Sequence, residues 1–131
     1  MIIGYKSSLV KLFYLLVNAD GSINEKEIQS GAFLAKSEGV AEQEFIVLTE
    51  NLKKRKPSVI YSESIEELKK HSREVQIRCV AWLCLIANAD GFMDKTEWQF
   101  IYKLYKADLN LELDEVMNMQ KVLMKLKEKK T

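Results

Sequence analysis

The 131-residue sequence contains few residues that interrupt helices, with five glycines and one proline. Hydrophobic residues make up 47% of the chain and charged residues 30%, which is ordinary for a globular protein. The scarcity of helix breakers, together with abundant Leu, Lys, Glu and Ala, favours helices over sheets. The composition therefore predicts an all-α fold in a single domain that covers residues 1–131.

An excess of charge of either sign is also lacking, because 20 Lys and Arg residues oppose 19 Asp and Glu residues. A dedicated nucleic-acid-binding protein usually carries a strong basic excess. We therefore expect no nucleic-acid partner.

No apolar run approaches the roughly 18 to 20 residues that cross a bilayer, so we expect a protein that does not itself span the membrane. The apolar stretch near the N-terminus lacks a strongly charged leader, and we interpret it as the first helix of the domain. With two cysteines and no export signal, the expected location is the reducing cytoplasm.

Residues for catalysis are scarce too. His71 is the only histidine, and no sequence feature frames a nucleophile for it to activate. Cys79 and Cys84 lie five positions apart on a predicted helix, a spacing that indicates buried apolar positions rather than a metal site. We therefore predict no catalytic residue and no enzymatic activity.

One acidic phrase occurs twice: "NADGSINEKE" at residues 18–27 returns seventy positions later as "NADGFMDKTE" at residues 88–97. The same shift lays residues 9–17 over 79–87, Glu38 over Asp108, Glu42 over Glu112 and Glu44 over Asp114. This repeat predicts two three-helix units, residues 5–54 and 72–127, joined by a short helix within residues 55–71. Packed together around a pseudo-twofold axis, they would form a bundle of about seven helices.

Apolar spacing and capping residues place the predicted helices along the chain. The expected ranges are 7–18, 24–37, 41–54, a short helix starting at Ser64, 72–88, 96–106 and 114–127. Gly39 is expected to end the second helix in a left-handed conformation. Trp98 and Tyr102 lie one turn apart, in the core or as an exposed aromatic patch for a partner protein.

The repeated phrase resembles part of a calcium-binding EF-hand loop, with Asn18 and Asn88 at position three of the loop. The first ligand position, however, holds Leu16 in one copy and Ile86 in the other, and neither side chain binds a cation. A second interpretation is structural. Asn24-x-x-Glu27 and Asp94-x-x-Glu97 both fit capping boxes at helix starts. This interpretation leaves Asp20 and Asp90 unexplained, at helix ends where the dipole disfavours a carboxylate.

The duplicated pattern ADGxxxxxE, at residues 19–27 and 89–97, resembles that of the tellurite-resistance TerB-like family, and the resemblance extends from about residue 5 to residue 127. It implies a compact helical domain and an acidic cluster drawn from both motifs. The implied metal-binding residues are Asp20, Glu27, Asp90 and Glu97, with Asn24 and Asp94 as auxiliary residues. Since the donors are oxygen atoms, with no His or Cys in either motif, Ca²⁺ or Mg²⁺ is the favoured cation.

The resemblance also implies a non-enzymatic binding module in a bacterial stress response to tellurite or other metals, phage or colicins. Related domains occur in a membrane-linked DnaJ-type co-chaperone and in stress operons. The implied partners are therefore other proteins, such as a membrane-associated stress complex or a chaperone, and the implied location is cytoplasmic, peripheral at the inner membrane through a partner. The alternative is a structural chaperone adaptor or protein-interaction domain whose motifs only cap helices, without a metal.

Overall fold

The computed structural model describes residues 4–19, 25–88 and 93–129, with the side chains of Glu27, Ile28 and residues 127–129 outside the description. Across these ranges every regular element is a helix, which confirms the predicted all-α bundle. The helices are α1 (Gly4–Val17), α2 (Glu25–Ser37), α3 (Glu42–Leu52), α4 (Pro57–Leu68), α5 (Arg73–Ala87), α6 (Lys95–Tyr102) and α7 (Leu113–Lys129). A π-helical segment, Lys103–Asp108, continues directly from α6.

Helices α1 and α5 form the centre of the bundle. Helix α1 packs against α3, α4 and α5, while α5 packs against α2, α6 and α7. The last nine residues of α5, 79–87, are all buried, and α1 is buried along most of its length. A helix that is apolar on all sides belongs in a core, whereas the outer helices bury one face. No described helix is both long and apolar enough to cross a bilayer.

The connecting helix α4 differs from its prediction, because it begins at Pro57 and not at Ser64. Proline suits the first turn of a helix, since its missing N–H would have no helical partner there. Ser64 is fully buried within α4; its hydroxyl donates to the Ile60 carbonyl (2.8 Å), and its own carbonyl accepts from the Ser8 hydroxyl (3.1 Å). Ser64, which its local sequence pattern placed at a helix start, instead contributes to the contact between α1 and α4.

Helix α2 ends in a Schellman motif, as the position of Gly39 predicted. Gly39 has a φ of +75°, and the Val40 N–H donates to the Ala35 carbonyl at 2.7 Å. Glycine adopts this left-handed conformation without the steric cost that a Cβ atom imposes. The chain then turns directly into α3.

The corresponding helix end in the second half, at the end of the π-helical segment, contains one more residue than the end of α2. Here Asn110 has the positive φ, of 53°, and the Leu111 N–H donates to the Tyr105 carbonyl at 2.7 Å. That hydrogen bond spans six residues, whereas its counterpart at the end of α2 spans five. The extra residue lies in the π-helical segment, where the Leu109 N–H reaches the Leu104 carbonyl five positions back.

The π-helical segment therefore changes the register of the repeat from seventy to seventy-one residues. From residue 112 onward, the order of buried and exposed positions in α7 follows that of α3 at the longer shift: Leu52 and Leu123 are both buried. At a shift of seventy, Leu52 would correspond to the exposed Val122. The predicted pairings downstream of the segment are thus wrong: Glu42 corresponds to Leu113 and Glu44 to Glu115.

Asn110 provides a test of this turn. Replacing Asn110 with Ala should destabilise the protein by about 1 kcal/mol, because alanine pays the steric cost of a positive φ, whereas Asn110→Gly should be neutral or slightly stabilising. Urea denaturation followed by circular dichroism measures both. Lys121→Ala, at an exposed position of α7, is the control and should change the unfolding free energy little, because lysine and alanine have similar helix propensities. Equal stability of the alanine and glycine variants would contradict the assignment.

Candidate functional site

The six candidate residues of the two acidic motifs are described to different extents. Asp20, Asn24 and Asp90 lie outside the described residues, as does the side chain of Glu27. Asp94 and Glu97 are described in full and belong to the start of α6. The site can therefore be built from the helices that flank each motif and from these two carboxylates.

Both motifs follow a central helix that ends in the same way. The side-chain amide of Asn18 donates to the Tyr14 carbonyl at 2.7 Å, and that of Asn88 donates to the Cys84 carbonyl at 2.9 Å. These carbonyls lie in the last turn of α1 and α5, and each also accepts the backbone N–H of the same asparagine. Each asparagine thus closes a helix end, whereas the EF-hand interpretation made the same residue a cation ligand.

The second motif leads into a capping box, which confirms the capping predicted for this copy. The Asp94 carboxylate accepts from the Glu97 N–H at 2.8 Å, and the Glu97 carboxylate accepts from the Asp94 N–H at 3.3 Å. The Glu97 residue is only 7% exposed. A carboxylate held in the first turn of a helix is also stabilised by the helix dipole.

The chemistry of this pair is compatible with a hard cation. The capping box uses Oδ1 of Asp94 and Oε1 of Glu97, and a carboxylate offers about four lone-pair positions, so capping and ligation are not mutually exclusive. Among the described residues, no three His, Cys, Asp or Glu side chains lie together as a metal site would require. Further ligands would have to come from motif residues outside the described part of the chain, among them Asp20 and Asp90.

A second acidic centre, which the sequence analysis did not identify, surrounds Glu38 at the end of α2. Glu38 is 6% exposed, and four donor groups reach its carboxylate. Nε and Nη2 of Arg78 both lie 2.7 Å from Oε2, Nε1 of Trp82 lies 2.9 Å from the same oxygen, and the Tyr5 hydroxyl donates to Oε1 at 2.9 Å. The cluster joins α1, α2 and α5.

The electrostatics of this cluster keep Glu38 ionised. Burial opposes its charge, but hydrogen bonds from Arg78, Trp82 and Tyr5 outweigh burial and hold the pKa of the carboxyl below its ordinary value. The pKa of Tyr5 is raised to about 12 by burial and by its bond to the Glu38 carboxylate. Neither group is poised to exchange a proton near neutral pH, so the cluster is an anchor rather than an acid–base pair.

The repeat itself carried a signal for this cluster, since Glu38 corresponds to Asp108 in the second half. Asp108 also accepts a hydrogen bond from a tyrosine, Tyr61, and it forms a 3.1 Å ion pair with Lys103. An acid retained at the same position in both halves therefore marks a tyrosine contact in each. Which tyrosine provides it depends on tertiary packing, which the sequence pattern does not show.

The two cysteines and the histidine make contacts that indicate structural roles. Cys79 and Cys84 are buried, as predicted, and burial raises the pKa of both thiols, that of Cys84 to about 12. His71 lies half-buried, with Nε2 2.9 Å from a Glu67 carboxylate oxygen and its ring edge-on to that of Tyr5. Unionised thiols and a histidine engaged with a glutamate give no nucleophile–base pair.

The Glu38 cluster predicts a specific dependence of stability on pH. Because the folded-state pKa is depressed, the stabilisation is present above the unfolded-state pKa, for which the ordinary value is 4.5, and is lost as pH falls through the folded-state pKa. Glu38→Gln should cost roughly 3 kcal/mol at pH 7, since it leaves Arg78 without its carboxylate. The difference from wild type should shrink below about pH 4.

Urea denaturation of wild type and Glu38→Gln between pH 3 and pH 7 measures this difference. Glu42→Gln, at an exposed position four residues away, is the matched control and should follow the wild type at every pH. A difference between wild type and Glu38→Gln that is constant across the range would show that the carboxylate charge does not stabilise the fold.

Two substitutions of Asp94 separate the effect of its N-cap hydrogen bond on stability from the effect of its charge. Asp94→Ala should cost about 1 kcal/mol of folding stability, because it removes the N-cap acceptor, whereas Asp94→Asn should retain the cap and most of the stability. Thermal or urea denaturation in the presence of a chelator measures both. Equal losses in the two variants would mean that the charge, and not the hydrogen bond, stabilises the start of α6.

One of three comparisons with known proteins identifies a family. The family model of the tellurite resistance protein TerB matches residues 6–115, which include both acidic motifs, most of α1 and all of helices α2 to α6. No curated protein and no solved structure gave a match in the other two comparisons. Since the family model covers most of the chain, this protein belongs to the TerB family of tellurite resistance proteins.

Proposed function

We propose that this TerB-family domain is a non-enzymatic binding module of the bacterial stress response to tellurite or other metals, phage or colicins. Its binding site is an acidic cluster formed by Asp20, Glu27, Asp90 and Glu97, assisted by Asn24 and Asp94. The ligand is a divalent cation, Ca²⁺ or Mg²⁺, or a cationic surface of a partner protein. The module works in the cytoplasm and reaches the inner membrane through a partner such as a stress complex or a chaperone.

The observation that carries this proposal is the position of Glu97. Glu97, the last residue of the second motif, is almost fully buried at a helix start whose dipole favours negative charge. The partner carboxylate of Asp94 lies in the same turn. Two acids concentrated at this point, with Asp90 four residues before Asp94, favour a cation or a cationic side chain as the ligand.

The equivalent endings of α1 and α5 support a site shared by both motifs. These helices pack against each other, and an asparagine closes the last turn of each in the same way. Each motif therefore begins at the end of a core helix, and the two core helices form a rigid support. Rigid supports are what a binding site requires, because they avoid the entropic cost of ordering ligands on binding.

The capping box favours a second candidate function. If the motifs serve only to begin α2 and α6, the domain is a structural chaperone adaptor or protein-interaction domain without a metal. The hydrogen bonds between Asp94 and Glu97 are what that function requires. It assigns no role to Asp20 and Asp90, and this difference separates the two proposals.

Calorimetric titration with Ca²⁺, Mg²⁺, Mn²⁺ and Zn²⁺ tests the cation site. We expect Ca²⁺ or Mg²⁺ to release or absorb heat and to stabilise the fold by about 2.7 kcal/mol at a concentration one hundred times the dissociation constant. The double variant Asp20→Asn with Asp90→Asn should lose both effects. Asp94→Asn should weaken binding while keeping the helix cap.

Glu42→Gln, at an exposed acid outside the motifs, controls for the general loss of negative charge and should bind as the wild type does. Absence of heat and of stabilisation with all four ions would overturn the cation site. If the double variant then kept full binding to a partner protein, the structural adaptor would be the correct function.

A further inference from the structure

Helix α7 carries exposed apolar side chains that its own packing in the bundle does not bury. It packs against α5 through a face that includes the buried residues Val116 and Leu123. Beside this face, Leu113, Met117 and Met124 remain 40%, 44% and 47% exposed. One exposed apolar residue is ordinary, whereas three large ones on one side of a helix form a continuous surface.

Together with Gln120, these residues form a line along the helix, which we call the α7 stripe: Leu113, Met117, Gln120 and Met124. Their spacings of four, three and four residues keep them within about 60° of one another around the helix axis. Alternating spacings of three and four are those of the seam along which two helices pack as a coiled coil. The stripe therefore fits a second helix with the same spacings.

The α7 stripe is complementary to itself when it is reversed. Its spacings read four, three, four from either end, so two antiparallel copies align in four layers. Leu113 then lies opposite Met124, and Met117 lies opposite Gln120, once on each side of a twofold axis. A contact in which both copies use the same surface in this way is isologous, and it closes at two subunits.

Charges beside the α7 stripe favour the antiparallel direction. Asp114 and Lys121 are exposed, and both lie on the solvent side of the stripe, seven residues apart. In the antiparallel alignment Asp114 of each copy lies close to Lys121 of the other, and opposite charges attract. In a parallel alignment the two Asp114 carboxylates would lie at the same level of the pair, and they would repel each other.

Gln120 lies near the twofold axis of this alignment, about 2 Å along the helix from its centre. Within the part of the chain that the structure describes, its Oε1 is buried and has no hydrogen-bond partner. The amide can therefore turn toward a second copy without breaking a hydrogen bond of this oxygen, and the amide of the other Gln120 supplies a donor. A polar residue within an apolar seam fixes the register of a helix pair.

We propose that two copies of this protein form an antiparallel dimer through the α7 stripe. The contact extends over about three helical turns, which is the small class of interface that supports weak, concentration-dependent association. We expect a dissociation constant between about 10 μM and about 1 mM. The stripe includes no residue of either acidic motif, so the dimer is independent of cation binding.

Sedimentation equilibrium in the presence of a chelator, from about 10 μM to about 1 mM protein, measures this association. The wild type should change from monomer to dimer and form no larger species. Met117→Lys should weaken the dimer at least tenfold, because it places a charge in both central layers. Since Met117 is exposed in the monomer, urea denaturation of this variant should match that of the wild type.

Val122→Lys is the matched control for Met117→Lys. Val122 is 51% exposed on the same helix, but it lies on the opposite edge of the buried face, away from the α7 stripe. The same charge is therefore added to a similarly exposed apolar position outside the proposed contact. This variant should dimerise as the wild type does.

Charge reversal tests the antiparallel direction. Asp114→Lys and Lys121→Glu each bring like charges together at both ends of the dimer, and each should weaken it about fivefold. The double variant, Asp114→Lys with Lys121→Glu, restores opposite charges in an antiparallel pair and should recover the dissociation constant of the wild type.

Three results would overturn the proposal. A wild type that stays monomeric at about 1 mM, or that forms species larger than a dimer, excludes the isologous contact. A Met117→Lys variant that associates as strongly as Val122→Lys excludes the α7 stripe as the interface. A double charge variant that remains as weak as the two single variants excludes the antiparallel direction.

Discussion

The carboxylate of Glu38 fixes how three helices of the bundle meet. Four donor groups, from Tyr5, Arg78 and Trp82, converge on this carboxylate, and Glu38 itself is buried. A buried carboxylate without partners would cost several kcal/mol, so the end of α2 has one position in which its charge is compensated. The apolar surfaces of α1 and α5 favour burial but do not specify the angle at which the helices pack. The hydrogen bonds to Glu38 are directional and specify it. The Schellman turn and the start of α3 follow immediately in the chain, so their placement depends on the same contact.

The two halves of the bundle use the same framework for different surfaces. Glu38 is buried and paired with Arg78, while the corresponding Asp108 lies nearer the surface with Lys103 and Tyr61. A groove lined by Ala32 and Ala35 lies beside α2, whereas the corresponding positions of the second half hold Tyr102 and Tyr105. The repeated acidic motifs, by contrast, are supported by helix ends that are alike in both halves. The features that the halves share thus support the motifs, whereas the surroundings of Glu38 and Asp108 and the groove beside α2 distinguish one half from the other.

Features encoded by short patterns could be predicted from the sequence. The capping box at Asp94, the left-handed Gly39 and the burial of the cysteines each depend on neighbours along one helix, and the structure confirms them. Ser64 had an equally good local pattern, but packing of α4 against α1 took precedence over it. The Glu38 cluster was missed because its partners lie 33 to 44 residues away in the chain, a separation that no local pattern reports. The sequence therefore predicted the capping box at Asp94, while the Glu38 cluster required coordinates.

The single additional residue in the π-helical segment has a consequence for how such proteins diverge. An insertion within a helix would ordinarily rotate everything after it by about 100° and expose the core face. Here the wider turn absorbs the added length before α7 begins, so Leu123 still occupies the buried position that Leu52 holds in the first half. Sequence length and core geometry are thereby uncoupled at this point of the chain. A π-helical turn therefore lets a helix gain one residue while the buried face of the following helix stays in place.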